Sequence, residues 1–201
     1  MIRNKLKNIK SKIGSGKKKV YITISVMLVF LFTFIVYNIN SYDFSKLHAS
    51  VSEITNNTFK DENFYTCVID AYNKDNNASK TTQDNLTNEE LASITSLNCS
   101  SKNIEDTSGI EKITNLTELD LTENELANID LSSNILLTNL NLTNNKLTSI
   151  DLSKNTALTY IKLRDNLLTN IDLTKNLFLT YLSLRENQIE NIDLSKNENL
   201  N

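Results

Sequence analysis

From Leu116 onward the chain repeats itself every 21 residues without a gap. The copies read LTELDLTENELANIDLSSNIL from Leu116, LTNLNLTNNKLTSIDLSKNTA from Leu137, LTYIKLRDNLLTNIDLTKNLF from Leu158 and LTYLSLRENQIENIDLSKNEN from Leu179. A divergent copy of 22 residues, ITSLNCSSKNIEDTSGIEKITN, precedes them from Ile94, and a further copy opens at Leu200 and stops at Asn201. A unit this short cannot bury an apolar face by itself, so successive copies must stack as coils of a solenoid.

The spacing inside one copy says how a coil is built. Leu119 and Leu121 alternate with polar residues, the period of a half-buried strand, and stacked coils bring such strands into parallel register about 4.8 Å apart. Asn124, Asn145, Asn166 and Asn187 then form a column. An inward-facing amide there can satisfy the backbone groups of the turn after each strand. Leu126, Leu147, Leu168 and Ile189 fill the core behind it. Ten residues later Ile129-Asp130-Leu131 and Asn134 repeat the same logic. We therefore expect a second strand on the opposite side of each coil, giving two parallel sheets.

Residues 58–93 carry a helical pattern instead. Asp61 can cap a helix in which Phe64, Cys67, Val68, Ala71 and Tyr72 share one face at spacings of three and four. A polar loop follows over 73–85, and Thr87-Asn88-Glu89-Glu90 is a capping box ahead of Leu91 and Ile94. These two short helices read as an N-terminal cap on repeats that run over 94–201.

The charge is distributed unevenly. Residues 1–19 hold eight Lys and Arg and no acid, leaving 13 basic residues against all 24 acids, a net −11, on the rest. Such a body is too acidic to track a phosphate backbone, so no nucleic-acid partner is expected. Residues 20–39 (VYITISVMLVFLFTFIVYNI) lack charge and, as a helix, are about 30 Å long, the thickness of a bilayer core. Tyr21 and Tyr37 stand near its ends, where aromatic rings favour the interface, and the cationic flank holds the N-terminus in the cytoplasm. The expected organisation is a basic cytoplasmic tail (1–19), one transmembrane signal anchor (20–39), a stalk (40–57), and a cap and repeats outside a cell membrane crossed once. A cleaved signal peptide is the competing reading, but YNINSYD after the apolar core offers no small-x-small site.

The nested pattern LxxLxLxxNxLxxIDLxxNxx resembles the leucine-rich repeats of surface proteins of low-GC Gram-positive bacteria. The entry segment LTNEELASITSLNCSSKNIEDTSGIEKITNLTELDL is similar to the cap and first repeats of internalin-like proteins, and the resemblance extends over 58–201. It implies a leucine-rich repeat solenoid, mainly parallel β with a small α-helical N-terminal cap. It also implies surface-exposed recognition of a protein or glycan, and no enzymatic activity. Such proteins end in a C-terminal cap, often with further domains. This sequence stops two residues into a coil, so we expect it to be part of a longer protein.

Chemistry has few candidate seats. The lone His48 has no second ligand at metal spacing, and no Gly-rich phosphate loop, HExxH or nucleophile elbow occurs. Neither metal nor cofactor is expected. Asp130, Asp151, Asp172 and Asp193 form a column that could hold Ca²⁺, or that Lys154, Lys175 and Lys196 could neutralise. Cys67 and Cys99 could form a disulfide pinning the cap to the stack, or stay two small buried hydrophobes. The exposed strand positions are more informative. Stacking sets Tyr160 beside Tyr181 and Arg164 beside Arg185, with Lys162 between. Aromatic and Arg clusters are the usual composition of a binding hot spot. The alternative is a solvated surface in which the arginines pair with Asp165 and Glu186. Two other roles remain open: a spacer for something beyond Asn201, or the leading part of a hydrolase whose catalytic domain lies elsewhere.

Overall fold

The computed structural model describes residues 58–200. The expected tail, membrane anchor and stalk lie outside the described residues. Among those residues no helix is long and apolar enough to cross a membrane.

Two helices open the described region. Helix α1 spans Glu62–Asn76 and α2 spans Asn88–Ala92. One carboxylate starts α1 and ties it to the repeats. Asp61 Oδ1 accepts from the Phe64 N–H at 3.0 Å, while Oδ2 accepts from the Glu105 N–H at 2.8 Å and the Asp106 N–H at 3.3 Å. The helix buries Phe64, Tyr65, Cys67, Val68 and Ile69, with Ala71 and Tyr72 half-buried beside them. Thr87 and Glu90 close the capping box that starts α2. The Glu90 carboxylate also accepts from Tyr72 at 2.9 Å and from Lys80 at 2.7 Å, which joins the two helices.

The coils follow as one parallel sheet, in order β1 (Ser96–Asn98), β2 (Glu118–Asp120), β3 (Asn139–Asn141), β4 (Tyr160–Lys162) and β5 (Tyr181–Ser183). The register is the repeat itself: Leu97, Leu119, Leu140, Ile161 and Leu182 form one column. A typical coil buries Leu137, Leu140, Leu142, Leu147 and Leu152 completely. In the last described coil the counterparts Leu182, Leu184, Ile189 and Leu194 are only half-buried.

The first asparagine column works as its spacing suggests. The Asn145 amide donates to Leu121 O at 2.9 Å and Leu142 O at 3.1 Å, and its oxygen accepts from the Leu126 N–H at 3.1 Å. Each such Asn therefore joins its own coil to the one before it.

Among the described residues there is no second sheet, and this corrects the expectation. Residues 129–131 and their counterparts carry no strand ladder. The reason is local. Asp130 Oδ1 accepts from the Ser132 N–H at 2.9 Å, and the Asn134 N–H bonds Leu131 O at 2.9 Å. The chain turns before a strand can extend. Side chains join the coils there instead. Asn155 donates to Leu131 O at 3.0 Å and Asn134 O at 2.9 Å, and Asn134, Asn176 and Asn197 bridge in the same way. The apolar Ile-x-Leu of this segment is core filling, not strand.

The first coil has a position that only glycine fits. Gly109 sits at φ +102°, and a Cβ added there would lie 2.5 Å from the Phe59 ring, which stacks on Tyr65 at 4.8 Å. Gly109→Ala combines backbone strain with displacement of that ring. It should cost roughly 2–4 kcal/mol, read as a lower urea midpoint with an unchanged m-value.

Candidate functional site

The strand ladder exposes two columns of side chains. One runs Ser96, Glu118, Asn139, Tyr160, Tyr181, and the other Asn98, Asp120, Asn141, Lys162, Ser183. Their β1–β4 members line a shallow groove of about 300 Å³, which stops short of Tyr181 and Ser183. Parallel register puts Tyr160 and Tyr181 ring on ring, with centroids 4.4 Å apart and planes 12° from parallel. The Lys162 ammonium lies 5.3 Å from the Tyr160 centroid. Its interaction with the Tyr160 side chain pushes the Lys162 pKa up, partly opposed by burial. Tyr160 is thus half-buried, while Tyr181 remains 42% exposed.

The two arginines follow the more ordinary course. Arg164 Nε pairs with Asp165 and Arg185 Nε with Glu186, each at 3.1 Å. Exposed pairs between sequence neighbours stabilise little, so both guanidinium groups can re-pair with a ligand at small cost. The structure therefore joins Tyr160, Lys162 and Tyr181 into one cluster and sets Arg164 and Arg185 beside it, each with its own acid. Asp120 belongs to the same face. It accepts from the Asn141 amide at 3.2 Å and adds to the upward shift of Lys162. It was legible as a neighbour only once β2 and β4 were placed in one register.

Cys67 of α1 and Cys99, just after β1, are joined by a disulfide with Cα atoms 5.7 Å apart. It links the cap to the first coil, a second tie beside Asp61's contacts with Glu105 and Asp106. The aspartate column has a backbone role. Asp151, Asp172 and Asp193 Oδ1 accept from the N–H groups of Ser153, Thr174 and Ser195. These backbone bonds, helped by the Ser and Thr hydroxyls, hold the carboxyls below the usual aspartate range. Among the described residues no group of three or more acidic, His or Cys side chains is placed to hold a metal ion.

No family model matches the sequence. Internalin J of Listeria monocytogenes serotype 4b (strain F2365) is 40% identical over 88 residues, which is 44% of this chain and 9% of internalin J. The fold agrees with the functional domain of InlJ from Listeria monocytogenes at a TM-score of 0.66 and 39% identity, over 72% of this chain and 31% of that one. The repeat region is homologous to the Listeria internalins. The internalin InlF from Listeria monocytogenes strain 4b F2365 extends the likeness, with a TM-score of 0.57 and 25% identity over 72% of this chain and 49% of that one. A leucine-rich repeat protein of Leptospira interrogans, LIC12759, gives 0.51 and 26% over 56% of this chain and 32% of its own. The chain thus spans less than a tenth of the curated internalin and under half of these solved structures. The InlJ structure includes a cysteine ladder. This internalin-like chain has two cysteines, both in the disulfide, and the buried polar columns of its repeats are asparagine.

Proposed function

We propose that this chain is a bacterial cell-surface recognition module, anchored through residues 20–39 with the repeats outside. It binds a protein partner on the exposed face of the strand ladder, centred on Tyr160, Lys162 and Tyr181 and flanked by Arg164 and Arg185. The observation that carries this reading is the stacked tyrosine pair. Aromatic side chains held rigid by neighbours offer large contact area at little cost in conformational entropy. The acids of β2 at one end of the face and the cations of β4 and Arg185 at the other favour a ligand with the opposite arrangement. Homology to the internalins supports surface recognition, and the uncharged 20-residue segment behind a basic tail supports the membrane topology.

The test is an interaction screen of the full chain in detergent against an array of purified extracellular proteins, followed by variants. The Tyr160→Ala/Tyr181→Ala pair should weaken any ligand found by at least about tenfold, since hot-spot truncations cost about 2 kcal/mol or more. Thr148→Ala, exposed on the coil before Tyr160, should leave it unchanged. A ligand that binds both variants equally, or a chain that captures nothing, contradicts this reading. The latter result would favour the spacer role.

A further inference from the structure

The groove on the strand ladder is a trough with one closed end. Leu97, Leu119 and Leu140 are buried in the core, so their backbone forms its floor. Ser96, Glu118 and Asn139 make one wall, and Asn98, Asp120 and Asn141 the other. The walls stand two residues apart along the strands, about 6.6 Å. A helix with its side chains is about 10–12 Å across, too wide to lie between them, whereas a single extended chain fits. At β4 the trough is stopped. The Lys162 ammonium leans back to 5.3 Å from the Tyr160 centroid, so these two side chains join the columns and close the end. At β1 it continues, because Ser96 and Asn98 also line a second cavity, of about 250 Å³, beside Cys67, Asp70 and Lys74 of α1.

The walls carry the groups that an extended main chain needs. The backbone of the floor is spent on the ladder, so side chains must do the bonding. Asn139 makes no side-chain hydrogen bond among the described residues. Asn98 and Asn141 accept at Oδ1 from the Ser100 and Thr143 N–H groups, at 3.1 and 3.2 Å, and keep amide N–H groups to donate. An amide side chain offers both a donor and acceptor, as a peptide group does. Charge is ordered along the trough. Lys162 stands at the closed end. Glu118 and Asp120 lie two coils back, about 9.6 Å away, and form no ion pair among the described residues.

We propose that this trough binds the free C-terminus of a protein partner in extended form, with its carboxylate on the Lys162 ammonium and a basic side chain, fourth from the end, between Glu118 and Asp120. Three extended residues span about 10 Å, which matches the two-coil separation of the opposite charges. The stop at Tyr160 and Lys162 selects a chain end over a chain running through, and an ammonium there captures a terminal carboxylate. Residues 58–200 hold 12 basic and 22 acidic residues, a net 12 − 22 = −10, which favours the approach of a segment that is basic overall. The inference rests on the ladder as a recognition face and names the segment that face reads.

The test is fluorescence anisotropy on the full chain in detergent. The probes are a positional library of N-terminally labelled hexapeptides, each made as the free acid and as the C-terminal amide. Free acids with Arg or Lys fourth from the end should bind best, and amidation should weaken them about tenfold or more, the loss of a charge-assisted hydrogen bond. Lys162→Gln should remove the difference between acid and amide. Glu118→Gln with Asp120→Asn should remove the preference for a base while keeping that difference. Lys154→Gln, exposed off the ladder, should change neither. Acids and amides that bind alike overturn the proposal, as does a library from which nothing binds or an acid preference that survives Lys162→Gln. A whole protein captured through Tyr160 and Tyr181 alongside any of these results would leave the recognition face standing and end only the claim about chain ends.

Discussion

Asn166→Ala is expected to unfold at a lower urea concentration than the parent chain, with a loss on the order of 2–4 kcal/mol. The side chain is 5% exposed and serves only the backbone. Its amide donates to Leu142 O at 2.9 Å and Leu163 O at 3.1 Å, and its oxygen accepts from the Leu147 N–H at 3.0 Å. Truncation orphans the buried Leu147 N–H, at about 1–3 kcal/mol, and removes one of two amide bonds from Leu142 O and from Leu163 O, which keep Asn145 and Asn187. Water entering the vacated space recovers part of that cost. Two of the three groups sit in the preceding coil, so the loss is felt in coil-to-coil coupling, the term that makes a solenoid cooperative. Asn139→Ala is the matched control. Asn139 lies exposed on β3, and its loss should stay within about 0.5 kcal/mol. Equal effects at the two positions would mean that the column does not carry the stack.

The second large effect concerns the cap. Replacing Cys67 and Cys99 together with Ser should cost about 3–4 kcal/mol. This follows from the loop entropy released when a cross-link spanning 32 residues is removed. The destabilised region is specific. Helix α1 packs directly on β1 and covers the first coil, burying Val68 and Ile69. Without the disulfide the cap remains tied by Asp61 and by Glu90's contacts, so limited proteolysis should cut within 62–85 before it cuts the repeats. Thiol titration of the oxidised parent should find no reactive thiol until a reductant is added. Two free thiols in the parent, or a double variant as stable as the parent, would contradict the placement of this bond.

Much of this was legible in the sequence because the repeat states each contact several times. The strand column, the first asparagine column, the Asp61 cap and the Thr87 capping box follow from residue type and spacing alone. The second sheet was misread because Ile129-x-Leu131 has the alternation of a strand. The contrary signal was present. Asp followed two residues later by Ser or Thr is the pattern of an Asx turn, and it recurs at Asp130, Asp151, Asp172 and Asp193. The tyrosine cluster was legible as adjacency but not as geometry. That Tyr160 is half-buried against Lys162 and Tyr181 depends on side-chain packing that a register cannot show. The exposed Ile135, Leu136, Leu177 and Phe178 occupy variable positions of the repeat, where pattern reading gives no expectation.

The account stands on coils joined by a backbone ladder on one side and by side-chain amides on the other. Residue-resolved amide hydrogen exchange on the full chain tests this most directly. The Leu121, Leu142 and Leu163 N–H groups donate to the next coil, at 2.9, 2.8 and 2.9 Å, and should exchange among the slowest in the protein. Those of Ile129, Ile150 and Ile171, where no ladder runs, should exchange markedly faster despite their largely buried side chains. Equal protection of the two sets would restore a second sheet. Fast exchange at the three leucines would dismantle the ladder on which the tyrosine face depends.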